Sequence, residues 1–382
     1  MVSLDYPAFH LLVTTFSLLF LSASPSSPFS SLYAGQFSKI YAFGDSYTDT
    51  GNTRSHTGPS GYAHVSNLPY GMTFFHHPTN RYSDGRLLVD FLADALSLPF
   101  LPPYLDRTTD SAHGVNFAVA GATAIDHEFF VRNNVPLAIT PQSLSTELGW
   151  FDGLMEKKGC GKVASVECDS AMKNALFWVG EIGANDYAYT AVSSVTNSTV
   201  QRLAVNTTLT FLQALIKRGA KSMVVQGLPM LGCLPLSLYL APPDDRDSIG
   251  CVASMNRVAR DHNARLLSGV RTLRQSHPSV TISYADFWNA HRAVVSSPAK
   301  YGIREPFKTC CGTGGGPYNF QAFATCGAPD ASKACAEPSE YVNWDGVHLT
   351  EGMNAVLAEL FLRGGYMDPP FTRLLRNKRV RV

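Results

Sequence analysis

The 382-residue sequence has little charge: 16% of its residues are Asp, Glu, Lys or Arg, and the formal net charge is +1. The only basic block is the tail from Arg376 to Arg381. A charge run at a terminus is ordinarily a solvated end, so the electrostatic footprint that nucleic acid requires is missing. Long apolar runs are also scarce. The longest, Phe9 to Leu21, has 13 residues, too few to cross ~30 Å of hydrocarbon as a helix, so no membrane span is expected. No C-x2-C pair recurs among the cysteines, which argues against a structural zinc site. The glycine-rich stretch from Gly312 to Gly316 lacks the Lys-Ser/Thr that completes a phosphate loop. The adjacent His76 and His77 read as solvated loop residues, so no metal is expected.

What is present suits an exported globular chain. Apolar residues make up 45% of the sequence, enough for a sizeable core. The N-terminal apolar run is followed by Ser22, Ala23 and Ser24 and then a Pro/Ser-rich stretch to Ser31. That order matches the h-region and cleavage site of a signal peptide over residues 1–30, with cleavage between Ala23 and Ala34. The n-region fits less well, because it holds Asp5 and no Lys or Arg. The eight cysteines are an even set, as a disulfide framework in a secreted protein requires. Cys160–Cys168 and Cys233–Cys251 are natural short-range pairs among 105 possible pairings. Asn197-Ser-Thr and Asn206-Thr-Thr are glycosylation acceptor sequences in such a compartment.

Short β-rich runs alternate with helical patterns. Strands are expected at Lys39–Phe43, Val115–Val119, Ala175–Val179, Ser222–Gln226 and Thr281–Tyr284. Val205, Leu209, Leu212 and Ile216 share one helical face, with Lys217 and Arg218 in the last turn and Gly219 as a left-handed cap. A second long helix is expected from Val252 to Leu273. A last helix starts at Thr350, an N-cap, with Met353, Val356, Leu357 and Leu360 on one side. Strand and helix alternating in this way imply a three-layer α/β/α sandwich around a parallel sheet. Without repeats or a low-complexity linker, one domain is expected from residue 35 to 382. Ligands of such sheets bind beyond the carboxyl ends of the strands.

Candidate chemistry falls at those ends. Ser46 lies in Gly44-Asp-Ser-Tyr-Thr-Asp49, just past the first strand. It reads either as a cap in a strand-to-helix turn or as a nucleophile, whose developing negative charge the following N–H groups would favour. Asp345 and His348 lie three apart in Asp345-Gly-Val-His348. On a tight turn the carboxylate meets Nδ1, leaving Nε2 to take a serine proton. The alternative is a solvated Asp and a loop His. After two further strands come Asn116–Ala122, where Gly121 can present a backbone N–H, and Gly180–Asp186, where Asn185 can aim an amide. With the N–H of Ser46 these would form an oxyanion hole. Tyr62, Tyr70, Phe74 and Phe75 are candidates for an acyl pocket or for the core.

These blocks in this order resemble the plant branch of the GDSL esterase/lipase family, within the SGNH hydrolase superfamily. The matching blocks are Gly44-Asp45-Ser46 with Asp49, Gly51 and Asn52; Asn116–Ala122; Gly183-Ala-Asn185-Asp186; and Asp345-Gly-Val-His348. The leucine of the family name is Tyr47 here. Cys310-Cys-Gly-Thr-Gly-Gly and the His262-Asn263 pair add to the likeness. The resemblance implies a flavodoxin-like fold and hydrolysis of lipid, acetyl or small plant-metabolite esters through an acyl-serine intermediate, with no cofactor. It leaves open acyl transfer to another alcohol and deacetylation of a cell-wall polysaccharide. The chain lacks the Gly-x-Ser-x-Gly elbow of the α/β-hydrolases.

Overall fold

The computed structural model describes residues 29–375 apart from 54–60, 107, 109, 137–139, 161–167, 169–171, 323 and 332. Most of the expected leader and the basic tail therefore lie outside the described residues.

Each marked β-rich run is a strand. They are β1 (Lys39–Phe43), β2 (Gly114–Asn116), β3 (Ala175–Val179), β4 (Ser222–Gln226) and β5 (Thr281–Ala285). All pair in parallel, in the order β2-β1-β3-β4-β5, which is the flavodoxin-like winding. Two features were not expected. A separate parallel pair joins β6 (Glu305–Thr309) to β7 (Tyr341–Asn343). The main sheet also gains an antiparallel edge strand, β8 (Met367–Asp368), against Tyr284 and Ala285. Strands this short carry too little pattern to be read from sequence.

The helices are α1 (Leu88–Ala95), α2 (His127–Arg132), α3 (Leu144–Lys157), α4 (Ala184–Thr190), α5 (Asn197–Lys217), α6 (Pro235–Leu240), α7 (Ala253–Ser276), α8 (Phe287–Ser296) and α9 (Glu351–Leu362). Side chains alternate across the sheet, so each strand feeds two cores. Ile40, Ala42, Leu176, Trp178 and Val224 pack with α1, α8 and α9. Tyr41, Phe43, Phe177, Met223 and Val225 pack with α3, α5 and α7 on the other face. A strand covered on both sides must be apolar throughout, which is why these runs are continuous and do not alternate.

Three sequence readings shift. The second strand ends at Asn116 and does not reach Val119. The Asn116 side chain accepts from the N–H of Ala118 and donates to the Thr48 carbonyl, turning the backbone out of the ladder. On α5 Val205 and Leu212 are buried as expected, but the rest of the buried face is Ala204, Thr208, Phe211 and Leu215, leaving Leu209 and Ile216 half-buried at its flank. The long helix α7 extends to Ser276, with Val252 as its N-cap. The caps are as expected. Thr350 accepts from the N–H of Met353 at 3.1 Å, and Gly219 is left-handed at φ +99. Cys160–Cys168 and Cys233–Cys251 are bonded, and so are Cys310–Cys335 and Cys311–Cys326.

Phe177 is wholly buried, its ring 5.4 Å from that of Tyr41 and 5.9 Å from that of Phe151. Phe177→Ala is expected to cost about 3–5 kcal/mol of stability, read as a lowered urea midpoint with an unchanged slope.

Candidate active site

The site is assembled from four loops at the carboxyl end of the sheet. The first follows β1. Ser46 does not open a helix, contrary to the sequence reading. Residues 46–48 form a single turn in which Thr48 and Asp49 both donate to the Asp45 carbonyl. Beyond that turn Asp49 draws the next N–H groups onto its own side chain, capping the helical residues Asn52 and Thr53. Its carboxylate accepts from the backbone of Gly51, Asn52 and Thr53 and, across the cleft, from that of Ala120.

The second loop follows β2 and carries Gly121. Its φ of +80 is a left-handed conformation. A Cβ there would fall 2.3 Å from the Thr140 hydroxyl and 2.8 Å from that of Tyr189, so only glycine fits. The loop is tied to the first by Asn52, whose amide donates to the Asn116 and Ala118 carbonyls. The third loop follows β3 and leads into α4. Asp186 accepts from the N–H groups of Ala124 and Ile125, both at 2.9 Å, which ties it to the second. Burial pushes the Asp186 carboxyl up to about 7 against those donors.

The fourth loop lies between β7 and α9. It is pinched shut at its base, where Trp344 donates to the His348 carbonyl at 2.8 Å. Within it, His348 Nδ1 lies 2.8 Å and 3.0 Å from the two Asp345 oxygens. The same carboxylate accepts from the N–H groups of Val347 and His348 and from the Tyr70 hydroxyl at 2.7 Å. Burial alone would raise the Asp345 pKa. The facing imidazole and these donors overcome it and hold the group at about 2. His348 Nε2 lies 2.7 Å from Ser46 Oγ. All three residues are buried, Ser46 being 5% exposed.

Among the described residues, the backbone N–H groups of Ser46 and Gly121 meet no acceptor. Asn185 differs: its amide nitrogen donates at 3.0 Å to both Asp45 and the Ala122 carbonyl. Those two bonds fix the amide and engage both of its hydrogens, so any third acceptor would have to share one of them. Asp45 is buried beside Glu181, and burial raises both carboxyls, Glu181 well above the usual range. Glu147 of α3 is raised in the same way and accepts from the N–H of Gly44 at 3.0 Å. These buried acids support the first turn from beneath.

The remaining sequence candidates separate. Tyr70 is the donor to Asp345, a role no spacing foretold. Phe74 and Phe75 pack edge-to-face on each other and on Phe100, against Arg86 and Arg81, and line no part of the cavity beside His348. The Tyr62 side chain lies outside what is described. Asn263 brackets Leu228, accepting from its N–H and donating to its carbonyl. Burial lowers His262 to about 3, so it is a neutral partner of the Tyr187 hydroxyl. Among the described residues no group of three His, Cys, Asp or Glu side chains could hold a metal ion, and no helix is long and apolar enough to cross a membrane. Asn197 and Asn206 are exposed on α5.

Residues 40–361 match the GDSL-like Lipase/Acylhydrolase family. The chain belongs to that family. It is 53% identical over 368 residues to GDSL esterase/lipase At3g48460 of Arabidopsis thaliana, covering 94% of each chain. It is 36% identical to GDSL esterase/lipase At1g28580 of the same plant over 386 residues, covering 98% of each. GDSL esterase/lipase At5g45910 is 37% identical over 352 residues, 88% of this chain and 93% of its own. The mostly parallel sheet between two helical layers is the GDSL fold, and the chain is a carboxylic ester hydrolase of the GDSL type.

Asp49→Ala would strand three buried N–H groups of this GDSL site at once, those of Gly51, Asn52 and Thr53, while Ala120 keeps the Thr53 hydroxyl as acceptor. Each costs about 1–3 kcal/mol when unsatisfied. The variant is expected to lose several kcal/mol, with amide exchange rising first at Gly51–Thr53.

Proposed function

We propose that the chain is a secreted serine esterase in which Ser46 attacks the ester carbonyl and forms an acyl-enzyme. The observation that carries this reading is the unbroken chain from Ser46 Oγ to His348 Nε2 and from Nδ1 to Asp345. His348 takes the hydroxyl proton as Oγ bonds to the carbonyl carbon. Asp345, kept ionised by its donors, fixes the tautomer that leaves Nε2 as acceptor and stabilises the imidazolium. The carbonyl oxygen gains its charge beside the free N–H groups of Ser46 and Gly121, with Asn185 sharing one amide hydrogen. His348 then gives its proton to the departing alkoxide. Water, deprotonated by the same nitrogen, releases the acid and restores Ser46. Because the proton returns to where it began, this reaction needs no cofactor.

Ser46→Ala is expected to lower p-nitrophenyl acetate hydrolysis by at least 10³-fold with its melting temperature unchanged, and to abolish labelling by a fluorophosphonate. Retained turnover in that variant sinks the assignment. Tyr70→Phe removes one charge-assisted bond to Asp345, worth about 1.5–3 kcal/mol, or one to two pH units. A carboxylate that starts near 2 stays ionised above about pH 5 after such a rise. The pH profile above 5 is therefore expected to be unchanged while kcat falls about tenfold through lost orientation.

Export rests on the leader sequence of residues 1–30, the four disulfides and the two exposed acceptor asparagines, with one domain from residue 35 onward carrying the chemistry. Protein made in a plant secretory host is expected to lose one glycan mass in each of Asn197→Gln and Asn206→Gln. An identical mass for wild type and both variants would remove glycosylation from this reading.

A further inference from the structure

A cavity of about 250 Å³ opens beside the catalytic loop. Its walls are Val65, Tyr82, Leu236, Phe320 and Ala324, and the catalytic loop from Gly346 to His348 forms its floor. Tyr82 lies against the imidazole, ring centres 4.6 Å apart. Phe320 covers Gly346 so closely that a Cβ there would fall 2.1 Å from its ring. Leu236 is fixed by its N–H to the Gly346 carbonyl at 2.9 Å. The Cys311–Cys326 bond closes the far wall, and His64, Tyr70, Thr325 and Asp345 bring polar groups to the lining. Neither Ser46 nor Gly121 nor Asn185 lines the cavity.

That placement assigns it to one half of the ester. In the tetrahedral intermediate the carbon carries the serine oxygen, the oxyanion, the acyl substituent and the alkoxy group. The oxyanion lies toward Ser46 and Gly121. The alkoxy oxygen must lie within reach of His348 Nε2, since that nitrogen protonates it as its bond to carbon breaks. A cavity lined by His348 and set apart from the oxyanion donors is therefore reached by the substituent on the alkoxy oxygen. We propose, building on the acyl-serine reading, that this cavity is the alcohol subsite and that it selects a compact apolar alcohol bearing a single ring.

Size and lining carry the class. An apolar cavity of about 150 Å³ holds benzene, so this one holds one ring and a few further atoms. Rings on two walls favour edge and offset contacts with an aromatic or alicyclic guest. A fused polycyclic alcohol or a polysaccharide chain exceeds the space.

The test is a set of acetates and butyrates that differ only in the alcohol: ethyl, benzyl, cyclohexylmethyl and anthracenylmethyl, with acetylated xylan as the polymer. Wild type is expected to show kcat/KM for benzyl and cyclohexylmethyl esters at least 30-fold above ethyl, with anthracenylmethyl and xylan no better than ethyl. Ala324→Phe, which fills the cavity, is expected to cut the benzyl-to-ethyl ratio at least tenfold. Phe320→Ala, which enlarges it, is expected to raise anthracenylmethyl relative to benzyl. Equal kcat/KM across the alcohols, a preference for xylan, or a ratio unmoved in folded Ala324→Phe overturns the subsite while leaving Ser46 as nucleophile. Labelling of Ser46 by a fluorophosphonate with none of these esters turned over overturns it too. No turnover and no labelling overturns the serine-esterase reading, and the subsite with it.

Discussion

The imidazole of His348 is held between a carboxylate three residues before it and a hydroxyl 302 residues away. Everything else in the cleft serves that double bond. Nδ1 faces a carboxylate with three other donors on it, so the carboxylate stays ionised although it is buried. Its charge in turn favours a hydrogen on Nδ1 and a lone pair on Nε2, directed at Ser46. Such an arrangement tolerates little slack, because a hydrogen bond weakens steeply once its angle or length drifts.

The fold supplies that rigidity by different means on the two sides of the bond. Ser46 sits on the first turn after a central strand. Asp49, Asn52 and Asn116 stitch the turn to its neighbours with buried side-chain-to-backbone bonds. His348 comes from outside the main sheet. Its loop is anchored by β7 and pinched by Trp344, and its flank is stapled by two disulfides whose neighbouring backbone donates to Asn343 and Trp344. One half of the site is thus held by buried polar bonds and the other by covalent cross-links. The disulfide-bonded segment also walls the cavity beside His348, so the cross-links that steady the catalytic base also shape the space beside it.

Buried acids are concentrated beneath the cleft. Asp45, Glu147, Glu181 and Asp186 are all raised by burial, whereas Asp345 is lowered despite its burial. The difference lies in partners. Asp345 faces an imidazole, while Asp45 and Glu181 face each other. Two neighbouring carboxyls share a proton more cheaply than they bear two charges. Asp45 is at once a member of that pair and the acceptor that fixes Asn185.

The order of the sequence determined the layers, the five central strands and the end of the sheet where the chemistry lies. Each of those follows from local apolar runs and from the handedness of the crossovers between parallel strands. It also marked Ser46, Asp345 and His348, because a turn after a strand and a three-residue spacing are local features. Tyr70 as a donor to Asp345, the commitment of Asn185 to Asp45, the pairing of Cys310 with Cys335 and of Cys311 with Cys326, and the cavity under Phe320 were decided only by the tertiary structure. All of these join residues whose separation in the chain has no period and no motif, and their partners are set by how the loops pack. An apolar run reports its own burial, but a hydrogen bond between distant loops depends on where both ends come to rest.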